Sequence, residues 1–107
     1  MEEIKVCLVN EISSGEVKQV EIDGGLPLAV YNLRNDYFVT DDTCTHGDAS
    51  LAEGDIEGEE IVCPFHLGKF NIKTGEVTAP PCSEPIKTYA VRIEDGKVYA
   101  ILGTKNE

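Results

Sequence analysis

The chain has 107 residues and a formal net charge of −11 at pH 7. This length fits one domain with a modest hydrophobic core, and the negative charge argues against partners such as nucleic acid or an anionic membrane surface. The acidic start is not followed by an apolar segment, and no apolar run approaches the length of a membrane span. We therefore expect a soluble, cytoplasmic protein without a signal peptide, in which four cysteines stay reduced and favour metal over disulfides.

Short apolar stretches separated by Gly, Asn and Asp predict an all-β fold. In chain order, strands are expected at residues 4–9, 17–22, 26–33, 37–40, 59–62, 88–93 and 97–101. The Asp95-Gly96 dipeptide predicts a hairpin between the last two strands, and Thr74-Gly75 predicts another tight turn. Residues 49–52 indicate one helical turn. No internal repeat or linker divides the chain, so residues 1–107 are predicted to form a single domain.

The residues that carry chemistry are Cys44, His46, Cys63 and His66. Sixteen residues separate His46 from Cys63, and the chain contains two histidines in all. A Cys₂His₂ set can hold a [2Fe–2S] cluster in which one iron takes two cysteines and the other takes two histidines. Zinc sites of the same composition usually pair like with like, C-x₂₋₄-C and then H-x₃₋₅-H. Each loop here mixes one Cys with one His, which favours the cluster, while a structural zinc site stays open as an alternative.

The C-x-H…C-x₂-H spacing resembles the Rieske family. The segments at 44–48 (CTHGD) and 63–68 (CPFHLG) are most similar to the Rieske ferredoxin component of bacterial aromatic-ring dioxygenases of the biphenyl, toluene or cumene type. The resemblance implies stacked antiparallel sheets, with a small cluster-binding subdomain at residues 43–79 inserted into a larger β base. It also implies one [2Fe–2S] Rieske cluster as cofactor.

By the same resemblance, Cys44 and Cys63 bind the inner iron, and His46 and His66 bind the outer iron near solvent. The implied function is to accept single electrons from an NAD(P)H-dependent flavoprotein reductase and pass them to a terminal oxygenase. We expect a monomeric electron carrier and not an enzyme, because oxygen activation needs a mononuclear iron held by two His and a carboxylate. A Rieske-like small subunit of a larger reductase, of the nitrite reductase type, remains the second interpretation.

Departures from the respiratory Rieske proteins predict a low reduction potential. Those proteins carry an extra cysteine in each loop, and a serine and a tyrosine that hydrogen-bond the sulfurs. Here the loops lack the extra cysteines, and the corresponding positions are Gly68 and Phe70, which have no hydroxyl. Fewer hydrogen bonds to sulfur leave the reduced state less stabilised, so we expect a potential near the low end of the Rieske range, about −150 mV.

Further features of the sequence concern the acidic residues, the cover of the cluster and the two remaining cysteines. Eight acids and no Lys or Arg lie between residues 41 and 62, which indicates either a solvated face or steering toward a basic partner. The Pro80-Pro81 pair resembles the loop that covers the cluster in this family, and Leu67 and Pro80 are candidates for an exposed apolar rim. Cys7 is expected to be a buried small residue, and neither Cys7 nor Cys82 is predicted to be a ligand.

Overall fold

The computed structural model describes residues 2–22, 27–44, 49–64, 68–80 and 84–102. Within these ranges, no helix is long and apolar enough to cross a membrane. The regular elements of the described residues are ten strands and two 3-10 turns, the latter at Val9–Glu11 and Leu51–Glu53. The strands are β1 (Glu2–Leu8), β2 (Glu16–Val20), β3 (Leu28–Leu33), β4 (Asp36–Asp41), β5 (Asp55–Glu57), β6 (Glu60–Val62), β7 (Lys69–Asn71), β8 (Val77–Ala79), β9 (Thr88–Glu94) and β10 (Lys97–Leu102).

The strands form two antiparallel sheets. The base sheet has six strands in the order β1-β10-β9-β4-β3-β2, and the small sheet has four in the order β5-β6-β7-β8. The small sheet is inserted between β4 and β9, which are neighbours in the base sheet. The predicted all-β fold is therefore confirmed, and the segment that carries the ligand motif lies between two adjacent base strands.

Strand β3 separates two hydrophobic cores. All six of its residues are buried, and successive side chains of a strand point to opposite faces. Leu28 and Val30 contribute to one cluster, whereas Ala29, Tyr31 and Leu33 contribute to the other. We call the first the base core, made of Val6, Cys7, Ile12, Leu28, Val30, Val39, Val98 and Ala100. We call the second the cysteine core, made of Ala29, Tyr31, Leu33, Cys44, Ala49, Leu51, Ile61, Cys63, Phe70, Ile72 and Ile86.

Each predicted strand has a counterpart, and the differences concern the pairing of β1 and the short strands of the small sheet. The hairpin at Asp95-Gly96 is present, with Glu94 opposite Lys97 and both turn residues at positive φ. Strand β1 pairs with β10 from the far end of the chain, a partner that local patterns do not reveal. The three-residue strands β5, β7 and β8 are absent from the sequence prediction, whereas the equally short β6 is predicted. The predicted helical turn at 49–52 is a 3-10 turn shifted to Leu51–Glu53.

Candidate metal centre

The first candidate loop leaves the base sheet at the end of β4 and is closed by a short ladder of backbone contacts. The Leu51 N–H donates to the Asp42 carbonyl at 2.7 Å, and Thr43 forms a β-bridge with Ser50. The Cys44 N–H then donates to the Ala49 carbonyl at 2.9 Å. Cys44 therefore lies at the neck of a hairpin-like loop, and the intervening residues 45–48, including the predicted ligand His46, lie outside the described residues.

The second candidate loop leaves the small sheet at the end of β6 and closes in the same way. The Cys63 N–H donates to the Gly68 carbonyl at 2.7 Å, one residue before β7 begins. In both loops the cysteine N–H thus bonds the carbonyl five residues further along the chain. The predicted ligand His66 falls within residues 65–67, which also lie outside the described residues. The two loops are therefore closed by the same kind of backbone hydrogen bond, and in each loop the cysteine donates it.

Both cysteines are buried in the same core. Cys44 is 3% exposed and Cys63 is 1% exposed, and both belong to the cysteine core. The loops that carry them come from different sheets, so the tertiary packing brings together two sulfur donors that are nineteen positions apart in the chain. Buried thiolate donors suit soft metals and iron–sulfur clusters. The chemistry and placement of the described donors therefore fit a cluster that sits at the loop necks.

The surroundings of Cys63 are apolar. Phe70 is fully buried in the cysteine core, and the Gly68 carbonyl already accepts the Cys63 N–H. Pro64, directly after Cys63, is half-buried, and Pro80 is exposed, as expected for a member of an apolar rim. The other predicted rim residue, Leu67, and the residues Pro81 and Cys82 lie outside the described residues. Among the described side chains, Gly68 and Phe70 bring no hydroxyl to this region, in keeping with the sequence expectation.

Asp42 is the residue whose role the sequence did not reveal. The sequence places it in the acidic stretch at 41–62, interpreted as a solvated face or a steering surface, but the residue is 1% exposed. Its carboxylate accepts hydrogen bonds from Gln19 Nε2 at 2.7 Å, Ser50 Oγ at 2.7 Å and the Ala52 N–H at 2.9 Å. Buried carboxylates need such partners. The only sequence signal was its position two residues before Cys44, where a strand turns into a loop.

The rest of the acidic stretch is also less uniform than its sequence indicates. Asp41 accepts a hydrogen bond from the Tyr89 hydroxyl. On the small sheet, Glu57 forms an ion pair with Lys69 at 2.9 Å, and Glu59 forms one with Lys73 at 3.0 Å. These lysines come from outside the 41–62 segment, so the absence of basic residues within it does not leave every acid without a cation.

Cys7 differs from the two loop cysteines in both place and environment. It lies on β1, is 3% exposed and belongs to the base core, which confirms the prediction of a buried small residue. Burial raises the pKa of its thiol, and the nearby Glu11 carboxylate raises it further. Because Cys7 lies in a different core from Cys44 and Cys63, it is not placed to share a cluster with them.

Comparison with known proteins agrees with this geometry. The Rieske [2Fe-2S] domain family matches residues 2–90. Ferredoxin CarAc of Metapseudomonas resinovorans is 43% identical over 96 residues, which cover 90% of each chain. The Sphingomonas yanoikuyae B1 ferredoxin superposes with a TM-score of 0.91 at 45% identity, covering 95% of this chain and 100% of that one. A structure of the complex of reduced oxygenase and oxidised ferredoxin in carbazole 1,9a-dioxygenase gives a TM-score of 0.92 at 41% identity, covering 98% and 97%.

The chain belongs to the Rieske [2Fe-2S] domain family. Two further relatives are the ferredoxin component of the p-cumate 2,3-dioxygenase system of Pseudomonas putida, 37% identical over 94% of this chain and 86% of that one, and the biphenyl dioxygenase ferredoxin subunit of Pseudomonas sp. (strain KKS102), 44% identical over 84% and 83%. The predicted resemblance, the Rieske fold and the cofactor, one Rieske-type [2Fe–2S] cluster, are therefore confirmed. The chain is a Rieske ferredoxin, an electron-transfer component and not the catalyst. Neither the zinc-stabilised domain nor the small subunit of a larger reductase is favoured.

Proposed function

We propose that Cys44, His46, Cys63 and His66 bind the cluster, with the two cysteines on the inner iron and the two histidines on the outer iron. The observation that carries this proposal is the matched closure of the two loops around buried cysteines. Each cysteine is followed within its own loop by one of the chain's two histidines. When bound, such a cluster accepts and releases one electron at a time.

The chain's own residues would hold and shield that group. The two neck hydrogen bonds fix the backbone at each cysteine, which limits where the two sulfurs can lie. The apolar side chains of the cysteine core exclude water from the sulfurs. The two histidines would complete the set as the ligands of the outer iron, through which we propose that electrons pass to a partner.

We propose a potential near the low end of the Rieske range, about −150 mV. The support is the lack of hydroxyl groups at Gly68 and Phe70 and the burial of Phe70 against the cysteine core. A protein-film voltammogram measures this directly. Phe70→Tyr, which offers one hydroxyl, should raise the potential, and an unchanged value in a folded variant would show that this position does not tune the sulfurs.

The proposed partners are an NAD(P)H-dependent flavoprotein reductase and a terminal aromatic-ring oxygenase. The support for the oxygenase is the similarity to ferredoxins of dioxygenase systems, one of which is seen in complex with its oxygenase. The small sheet offers a feature suited to a basic partner surface. Glu57 lies directly opposite Glu60 in the β5–β6 hairpin, an arrangement of like charges that costs stability, although Lys69 offsets part of that cost.

We further propose that the protein acts as a monomer in the cytoplasm, with residues 43–79 as the cluster-binding subdomain of a single domain. The four strands of the small sheet lie within that range, and a reducing compartment keeps the ligand thiols available. Equilibrium sedimentation of the loaded protein tests the monomer, which a stable dimer would contradict.

Electron delivery to an oxygenase tests the proposed function. The dithionite-reduced protein, freed of excess reductant, is mixed with the oxidised oxygenase of the carbazole 1,9a-dioxygenase system, and visible absorbance is followed by stopped flow. We expect rapid reoxidation of the ferredoxin with matching reduction of the oxygenase. A cluster-loaded protein that reduces neither this oxygenase nor those of the cumate and biphenyl systems would overturn the assignment to ring-hydroxylating oxygenases.

A further inference from the structure

The two ends of the segment from Asp42 to Gly54 make contacts between protein atoms that link the first ligand loop to the base sheet and to the second ligand loop. Its first end is fixed to the base sheet, because the Asp42 carboxylate accepts a hydrogen bond from Gln19 on β2. The same carboxylate reaches forward to Ser50 Oγ and the Ala52 N–H. One buried side chain thus joins the strand that enters the first loop, the segment that leaves it, and the edge of the base sheet.

The other end of the segment touches the second loop. A Cβ added at Gly54 would lie 1.9 Å from the Val62 carbonyl oxygen and 3.1 Å from its carbonyl carbon. Val62 is the last residue of β6 and directly precedes Cys63. Gly54 has φ −90° and ψ −170°, an extended conformation open to any residue. The requirement for glycine here is therefore one of space and not of backbone conformation.

The Gly54 contact is held from its own side as well. The Gly54 N–H donates to the Leu51 carbonyl at 2.9 Å, which closes the 3-10 turn, and the Leu51 side chain is fully buried in the cysteine core. The segment cannot move away from Val62 without withdrawing Leu51 from that core. A bulkier residue at 54 must therefore displace either the first loop or the end of β6.

We propose that Asp42 and Gly54 are positioning residues that set the separation of Cys44 and Cys63. Asp42 fixes the first cysteine's loop to the base sheet, and Gly54 lets that loop approach the backbone immediately before the second cysteine. This inference rests on the proposed ligand set. It deepens that proposal by assigning the spacing of the two sulfur donors to two residues that are not themselves predicted ligands.

Gly54→Ala tests the close contact, with Gly58→Ala as its control. Gly58 lies in the turn of the β5–β6 hairpin at φ +62° with nothing within 4 Å of an added Cβ. Its substitution strains the backbone without closing any space. Both variants should lower the melting temperature. Only Gly54→Ala should release the cluster faster to a chelator, by about 10- to 100-fold, the usual effect of residues that support metal ligands, and only it should shift the EPR g-values of the reduced protein.

A second pair keeps the inference testable if Gly54→Ala fails to fold. Asp42→Ala removes the three side-chain hydrogen bonds and should accelerate release and shift the g-values. Asp42→Asn keeps the shape of the side chain and an acceptor oxygen for the Ala52 N–H. The rate of cluster release and the g-values of this variant should therefore lie closer to those of the wild type than the values of Asp42→Ala do. A uniform loss of stability from any substitution at this buried site would not give this rescue of the spectrum.

The outcomes separate this inference from the function on which it rests. A wild-type protein without iron and sulfide would overturn the proposed ligands, and the inference with them. If the wild type holds a cluster, but Gly54→Ala and Gly58→Ala differ from it equally in the rate of cluster release and in the g-values, the inference alone is overturned. The same holds if Asp42→Ala matches the wild type in the rate of cluster release and in the g-values.

Discussion

The two cores on either side of β3 are both largely aliphatic and both contain cysteine, but they are built differently, and the cysteine core also contains the buried rings of Tyr31 and Phe70. The base core lies within a sheet of long strands, and β1, β9 and β10 have six or seven residues each. The cysteine core lies under four strands of three residues each and two loops. Short strands provide few ladder hydrogen bonds. The stability of the small sheet therefore depends on the packing of its side chains and on the cluster that its loops would bind.

The cysteines make this contrast specific. Cys7 and Cys44 are both 3% exposed, yet one sits in a strand and the other at the neck of a loop. Burial raises the pKa of the Cys7 thiol, but the position in the fold is what separates the three cysteines. Cys7 lies in the base core, whereas Cys44 and Cys63 share the cysteine core and each donates the backbone hydrogen bond that closes a loop. In the sequence, Cys44 is followed closely by His46 and Cys63 by His66.

The largest expected effect comes from making one substitution in each core. Cys44→Ser or Cys63→Ser should abolish cluster assembly and destabilise the small sheet, because folding and metal binding are coupled. Cys7→Ser buries a hydroxyl in the base core, which should cost about 1–3 kcal/mol and leave the cluster intact. Iron content and the visible spectrum measure both results. A Cys44→Ser protein with a full-intensity Rieske spectrum would show that the ligand assignment is wrong.

The next effect is a loss of stability at alkaline pH. Burial raises the pKa of Tyr31, despite its hydrogen bond with Thr40, to well above the ordinary value. Because the unfolded chain ionises this phenol from about pH 10 while the folded chain does not, stability falls as pH rises beyond that point, by up to about 1.4 kcal/mol per pH unit. Tyr31→Phe should flatten this decline, measured as the urea midpoint between pH 8 and 11.

Tyr89, on β9, is the counterpart that packs against the base core. Burial and the hydrogen bond to Asp41 raise its pKa as well, so Tyr89→Phe should also reduce the slope, and the double variant should reduce it further. If the urea midpoint of Tyr31→Phe declined as steeply as that of the wild type, the buried phenol would not be the source of the effect.

A third comparison of the two cores shortens one isoleucine in each core by a single methylene, which should have a smaller effect. Ile61→Val in the cysteine core and Ile12→Val in the base core each remove one methylene from a side chain that is at most 3% exposed. Both should lower the free energy of unfolding by about 0.5–1.5 kcal/mol. Only Ile61→Val should also speed cluster release, since Ile61 packs in the same core as both cysteines. Equal release rates would mean that packing around the cysteines does not retain the cluster.

The smallest structural effect is expected from charge reversal on the small sheet. Asp55→Lys with Glu60→Lys avoids the Glu57–Lys69 and Glu59–Lys73 ion pairs and should leave the fold unchanged. Electron transfer from the reduced protein to cytochrome c, a basic probe, should slow at low salt and lose much of its ionic-strength dependence. The control, Glu11→Lys with Glu21→Lys, makes the same change in net charge outside the small sheet.

An equal decrease of the rate in both charge variants would show that net charge alone is responsible, and that outcome would return the acidic stretch to a role in solubility. A larger loss of salt dependence in the small-sheet variant would identify that sheet as the side at which a basic partner approaches.

Sequence alone predicted what local patterns encode. The apolar stretch of β3 and the Asp95-Gly96 turn mark a strand and a hairpin, and the Cys-His spacing marks the family. Other features could not be read in the same way. The partner of β1 comes from the opposite end of the chain. Strands β5, β7 and β8 are too short to show a clear period. Asp42 belongs to a run of acids whose sequence does not show which of them is buried. Gly54 is required by a contact with Val62 that exists only after both loops are in place.

The most direct test of the central claim is pulsed EPR of the dithionite-reduced protein, together with iron, zinc and sulfide analysis. We predict about two iron and two sulfide per chain and a lowered average g-value. We also predict hyperfine coupling to two histidine nitrogens that is altered in His46→Cys and His66→Cys. One zinc without sulfide, or a reduced cluster with no coupled nitrogen, would contradict the proposed ligation of the cluster by two cysteines and two histidines.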